Sequence, residues 1–173
     1  MSSWKGIIKS KSADELLESL SRLRANPLKP YQKLELANKF IIPHYIYELI
    51  VNIPSATALR SLDESVRKSL KQLLRLAPST TDCLINARKM DGGLGVIEFE
   101  YVCILANIKH ILTMQQSKDR LIRDCANSDA SIKKLNILKR SLSLDDPLTI
   151  HDVESAKIKR KNDVVERWSG MAS

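Results

Sequence analysis

The chain has 173 residues, enough for one domain or for one compact body with an appended segment. Hydrophobic residues make up 43% and charged residues 28%, which excludes a disordered chain, and aromatics at 5% leave Leu and Ile to build the core. Lys and Arg outnumber Asp and Glu by 28 to 20, a net charge of +8 that favours polyanionic partners without requiring them.

The first ten residues hold Trp4 and Ile7-Ile8 but show no period. Ser12 then caps a helix opened by Asp14 and Glu15, acids suited to the positive end of the helix dipole. Leu16, Leu20 and Leu23 line one face, and Pro27 ends it. Pro30 opens a second helix whose stripe is Leu34, Ala37, Ile41, Tyr45 and Leu49. Pro43 lies inside that stripe and predicts a kink or short break near Ile41-Ile42.

A third helix is expected over 55–77, with Leu59, Leu62, Val66, Leu70, Leu73, Leu74 and Ala77 in one apolar sector. Arg60, Arg67, Lys68, Lys71 and Arg75 gather on one flank, and Glu64 is spaced to pair with Lys68. Thr81–Arg88 reads as one or two helical turns. The glycine-rich stretch Asp91-Gly92-Gly93-Leu94-Gly95 follows, and then a nearly all-apolar, central helix over 98–116. Two shorter helices, over 118–127 and 130–142, lead to a break at Asp145-Asp146-Pro147 and a charged helix over 150–168. No strand alternation recurs. The fold class is all-α, with about six or seven helices, a body over 1–116 and a helical extension over 117–173.

Three cysteines, Cys83, Cys103 and Cys125, stand too far apart for a disulfide framework or a zinc-binding pair. No stretch is apolar enough to span a membrane and the N-terminus has no signal pattern, so a nuclear or cytoplasmic, non-secreted location is expected. No phosphate-loop, nucleophile-elbow or metalloprotease motif occurs, and no cofactor or metal is called for. Asp14-Glu15, Asp63-Glu64 and Asp145-Asp146 read as structural acids, with Asp63-Glu64 on an exposed helix face. Cys103 and His110 lie two turns apart, too far for a nucleophile–base contact, and read as core residues. Catalytic residues are therefore not expected in this chain.

The basic residues admit two readings. A charged helix flank is commonly only a solvated face. The same flank, joined by Arg88-Lys89 before the glycine turn, would suit duplex phosphates. Lys157–Lys161 resembles a nuclear-import run. The glycine cluster itself reads first as a turn between helices, although glycine also lets a phosphate approach the backbone closely.

Several segments, in order, resemble one family. Trp4-Lys5-Gly6-Ile7 is similar to a W-x-G-I motif, and Pro27–Leu34 to P-L-K-P-W-Q-K-L with Tyr31 in place of tryptophan. Phe40–Tyr47 is similar to L-L-P-R-L-x-Y, and Leu62-Asp63 with Val66-Arg67-Lys68 to L-D-x-x-V-R-R. Leu74-Arg75-Leu76 and Pro78 match the end of that basic helix, and Asp91–Val96 matches D-G-G-L-G-[IV]. Together these resemble the thumb of site-specific non-LTR retrotransposon reverse transcriptases of the R-two clade, over about residues 4–100. The remainder resembles the helical linker, and Arg167-Trp168 the point where such enzymes continue toward a zinc knuckle and nuclease.

The resemblance implies a non-catalytic thumb and linker without the palm's F-A-D-D-type carboxylates. It implies RNA or RNA–DNA duplex as partner, held by Arg67, Lys68, Lys71, Arg75, Arg88 and Lys89, and a polymerase palm as a further partner. Asp91, Gly92, Gly93 and Gly95 would form a structural turn. The alternative is a helical interaction or structural protein with no nucleic-acid role.

Overall fold

The structure, a computed structural model, describes residues 11–52, 54–142, 149–156, 163, 164 and 166. Trp4–Ile7, Asp145–Pro147, Lys157–Lys161 and Arg167-Trp168 lie outside the described residues. Among those described there are eight α-helices and no strand, so the chain is all-α. They are α1 (Lys11–Ala25), α2 (Pro30–Leu36), α3 (Ile42–Asn52), α4 (Ala56–Leu73), α5 (Asp82–Asn86), α6 (Phe99–Gln115), α7 (Arg120–Ala126) and α8 (Asp129–Ser141). A helical stretch over 150–156 follows.

The corner between α1 and α2 shows what the P-L-K-P-x-Q-K-L segment does. Pro30 takes the first helical position, where a missing N–H costs nothing, and Gln32 Oε1 accepts the Lys29 N–H. Lys33 is buried, and its ammonium donates to the Arg24 carbonyl at 2.7 Å, closing the C-terminal end of α1. The irregularity that Pro43 predicts near Ile41-Ile42 takes the form of a change of helix type there, without a break in the helix. The chain stays helical by widening into a π-helical segment, Ala37–Ile41, in which the Ile42 N–H reaches back to Ala37. The wider turn removes the clash between the proline ring and the carbonyl four residues earlier.

α4 ends at Leu73, short of the expected Ala77. Arg75 sits in the left-handed region at φ 57°, and the Arg75 and Leu76 N–H groups bond to the Gln72 and Lys71 carbonyls. This is a Schellman closure with arginine where glycine is usual. α6 runs through the centre. Phe99 and Cys103 join the cluster built by Leu16, Leu20, Ile42, Leu59, Val66 and Leu70, while Ile104, Ile108 and Leu112 join Leu135 and Val153. Cys103 is buried as expected, and burial pushes its thiol up to about 12, so it is inert. His110, read as a core residue, is exposed instead, because it lies on the side of α6 that neither cluster covers.

Asp63 is likewise corrected: it is not on an exposed face but buried in α4. Its two carboxylate oxygens accept the Phe99 and Glu100 N–H groups at 2.8 and 2.9 Å, so α4 caps the N-terminus of α6. The α6 N-cap residue, Glu98, makes no such side-chain bond to its own helix. Burial raises the Asp63 pKa to about 6 from 3.8, outweighing the two amide bonds and Arg67, which lower it.

The glycine segment packs onto α5. The Leu94, Val96 and Gly95 N–H groups bond to the Leu84, Ile85 and Ala87 carbonyls at 2.8–2.9 Å. Gly92 and Gly95 have φ of 81° and 69°. A Cβ at Gly93 would lie 2.2 Å from the Ala87 oxygen, so only glycine fits there.

Three measurements check this description. Because folded Asp63 keeps its proton to higher pH than the unfolded chain does, it favours folding most below its unfolded pKa, and that advantage is lost as pH rises through about 6. In urea titrations, the stability of wild type minus that of Asp63→Asn therefore falls between about pH 4 and pH 6. Gly93→Ala destabilises the fold by about 2 kcal/mol or more in the same assay. Arg75→Gly raises stability by roughly 1 kcal/mol, because it removes the left-handed penalty on a residue that carries a Cβ.

Candidate nucleic-acid interface

The six basic residues singled out from sequence fall into two groups. Arg67 Nε lies 3.2 Å and Lys71 Nζ 2.9 Å from the carboxylate of Asp82, the first residue of α5. Lys71 also donates to the Pro78 carbonyl at 3.2 Å. Arg88 meets Asp91 through its Nε at 2.6 Å. Arg60, further along the same flank, forks onto Glu100 at 2.7 and 3.1 Å. Lys68, Arg75 and Lys89 are exposed and have no ion-pair partner among the described residues. Glu64 does not pair with Lys68 among these residues; both are exposed.

The flank is therefore basic in composition, and three of its five cations are paired in space with two carboxylates. α5 and the start of α6 bring Asp82 and Glu100 against three of its cations. Arg67 and Lys71 keep only 18% and 15% of their side-chain surface in solvent, whereas Asp82 keeps 54%. The Arg67 Nε is buried and, despite its closeness to Asp82, makes no well-aligned hydrogen bond. Two cations thus converge on one carboxylate that satisfies one of them poorly.

The glycine turn does not act as an anion cradle. The N–H groups from Asp91 to Val96 are all spent on backbone carbonyls, those of Asp91 and Gly93 on Arg88, that of Gly92 on Lys89, and the next three on α5 and Ala87. A phosphate-binding loop needs such donors free and convergent. Beside the turn a groove of about 370 Å³ is lined by Asn38, Asn86, Lys89, Val96, Tyr101 and Val102, among others. Its amides are occupied: Asn38 donates to the Leu94 carbonyl and Asn86 to Glu98.

Of the aromatics, Tyr45 and Tyr101 are partly buried and hydrogen-bonded, to Ser19 and to the Ala156 carbonyl, and so serve packing. Tyr31 and Tyr47 are exposed, as is Phe40. No three His, Cys, Asp or Glu side chains gather to hold a metal ion among the described residues, and no helix among them is long and apolar enough to cross a membrane.

Sequence reading missed Asp82 and Asp63. Thr81-Asp82 carries a helix-start signature, a capping hydroxyl followed by an acid, but the partner of that acid is set by the tertiary fold. Asp63 did leave a signal. It shares the spacing of Leu59, Val66 and Leu70, all of them buried.

No family model matches the chain. It is 36% identical over 81 residues to the retrovirus-related Pol polyprotein from type-1 retrotransposable element R2 of Nasonia vitripennis, covering 47% of this chain and 8% of that protein. The corresponding protein of Bradysia coprophila is 31% identical over 100 residues, 54% of this chain and 12% of that one. The Pol polyprotein from type-2 retrotransposable element R2DM of Drosophila melanogaster is 24% identical over 106 residues, 61% and 10% respectively. The matched stretch is about a tenth of each of these relatives. Over about half its length, this chain is homologous to the Pol polyproteins of R2 elements, the non-LTR retrotransposons whose motifs its sequence resembles.

Proposed function

We propose that this chain is the thumb and linker-like part of a retrotransposon reverse transcriptase, and that it holds template–primer duplex by its phosphates without reading sequence. The observation that carries this reading is that Lys68, Arg75 and Lys89 are exposed with no ion-pair partner among the described residues, whereas Arg67, Lys71 and Arg88 are held by carboxylates. Phosphate contacts fix position and register and tolerate any sequence, which is what a duplex-holding element requires. The net charge of +8 adds long-range attraction toward a polyanion. RNA–DNA or RNA duplex is the proposed ligand, and the nucleus or cytoplasm the proposed location. A body over 1–116 with a helical extension over 117–173 remains the proposed division.

In this reading the chain performs no chemistry of its own. Nucleotidyl transfer needs carboxylates converging on two metal ions, and no F-A-D-D-type motif occurs in this sequence. A polymerase palm is the proposed protein partner.

A second reading, that of a helical interaction protein, rests on one observation. Phe40, Tyr47 and Val51 are 65%, 72% and 60% exposed at helical spacing along one side of the π segment and α3. Exposed apolar stripes of this kind mark partner surfaces.

Binding of a labelled RNA–DNA hybrid across a salt series separates the two. Duplex holding predicts affinity that falls steeply with salt, and a slope reduced by roughly two to three units in the combined Lys68→Ala, Arg75→Ala, Lys89→Ala variant. Absence of binding at low salt, or a slope indifferent to those substitutions, leaves the interaction reading.

A further inference from the structure

Arg67 and Lys71 lie one helical turn apart on α4, and both point at the same carboxylate. The cations are mostly shielded, but the acid is more than half exposed. It stands at the first position of a five-residue helix that keeps its own cap, Thr81, whether or not Asp82 is engaged. Lys71 has a second anchor in the Pro78 carbonyl, so its ammonium stays at this place if the carboxylate leaves. Arg67 has an unsatisfied buried donor there, which a better-placed oxygen would satisfy. The arrangement is a two-cation anion site with a built-in, poorly fitted and solvent-accessible occupant.

We propose that Asp82 competes with a nucleic-acid phosphate for the site formed by Arg67 and Lys71, and so limits how tightly this surface holds a duplex. The proposal rests on the duplex-holding reading. A phosphate presents oxygens in a tetrahedral array and a full negative charge, which two convergent cations match as well as they match a carboxylate. While Asp82 occupies the site, duplex is held by the uncommitted cations alone. When a phosphate displaces it, Arg67 and Lys71 join them. An element that must let duplex slide gains from such a carboxylate, because each added phosphate contact deepens the grip.

The test is a double-mutant cycle read by hybrid binding across salt. It compares the full chain, Asp82→Asn, the Arg67→Gln/Lys71→Gln pair, and all three changes together, with helicity checked by circular dichroism. Asp82→Asn is expected to tighten binding roughly threefold or more and to steepen the salt slope by about two units. In the Arg67→Gln/Lys71→Gln background the same change is expected to do neither. An equal gain in both backgrounds overturns the proposal, since removing one negative charge would then act only at long range. Wild-type binding that Asp82→Asn leaves unchanged also overturns it, while the duplex-holding reading stands. No binding by any of the four proteins overturns that reading and the proposal with it. Should the double substitution unfold the chain, Lys71→Gln alone replaces it, with half the loss of slope expected.

Discussion

Much of this structure depends on one buried carboxylate. Asp63 projects from α4 into the start of α6 and takes two amide hydrogens that α6 cannot satisfy within itself. That contact fixes the start of α6 against the long basic helix. With α6 so placed, Glu100 falls beside Arg60, and Phe99 enters the main cluster. The connection between the two helices must then close over a short distance. It does so through α5 and the glycine segment, which carries Asp82 to Arg67 and Lys71. In the same arrangement Glu100 pairs with Arg60 and Asp82 with Arg67 and Lys71, while Lys68 stays exposed.

The helical architecture was legible because it rests on local signals. Ser55 and Thr81 accept amides at the starts of α4 and α5, and the leucine spacing of α4 matches its buried face. Where the sequence misleads, tertiary packing wins over a local rule. Arg75 adopts a conformation that sequence rules reserve for glycine. Asp63 looks like a surface acid until the helix wheel is read for burial as well as for charge.

The candidate surface was less legible, for a physical reason. A helical wheel shows where cations lie on their own helix but not what other elements bring to them. Lys68 and Arg75 are exposed, whereas Arg67, Lys71 and Arg88 are committed to acids from other segments or the following turn. The glycine turn illustrates the same limit. Its composition suits a phosphate loop, yet its amides are consumed in docking onto α5. Homology to R2 Pol polyproteins over about half the chain is consistent with a nucleic-acid setting, and Lys68, Arg75 and Lys89 are where the proposed duplex contact is to be tested.

Chemical footprinting of lysines tests the central claim most directly, because it reads each cation without altering it. Lys68 and Lys89 on the proposed surface are exposed, and so is Lys133 on α8. With saturating RNA–DNA hybrid at low salt, Lys68 and Lys89 are expected to lose reactivity toward an acylating reagent, and Lys133 to keep it. Protection confined to Lys133 and its neighbours, or no protection anywhere, would contradict the account.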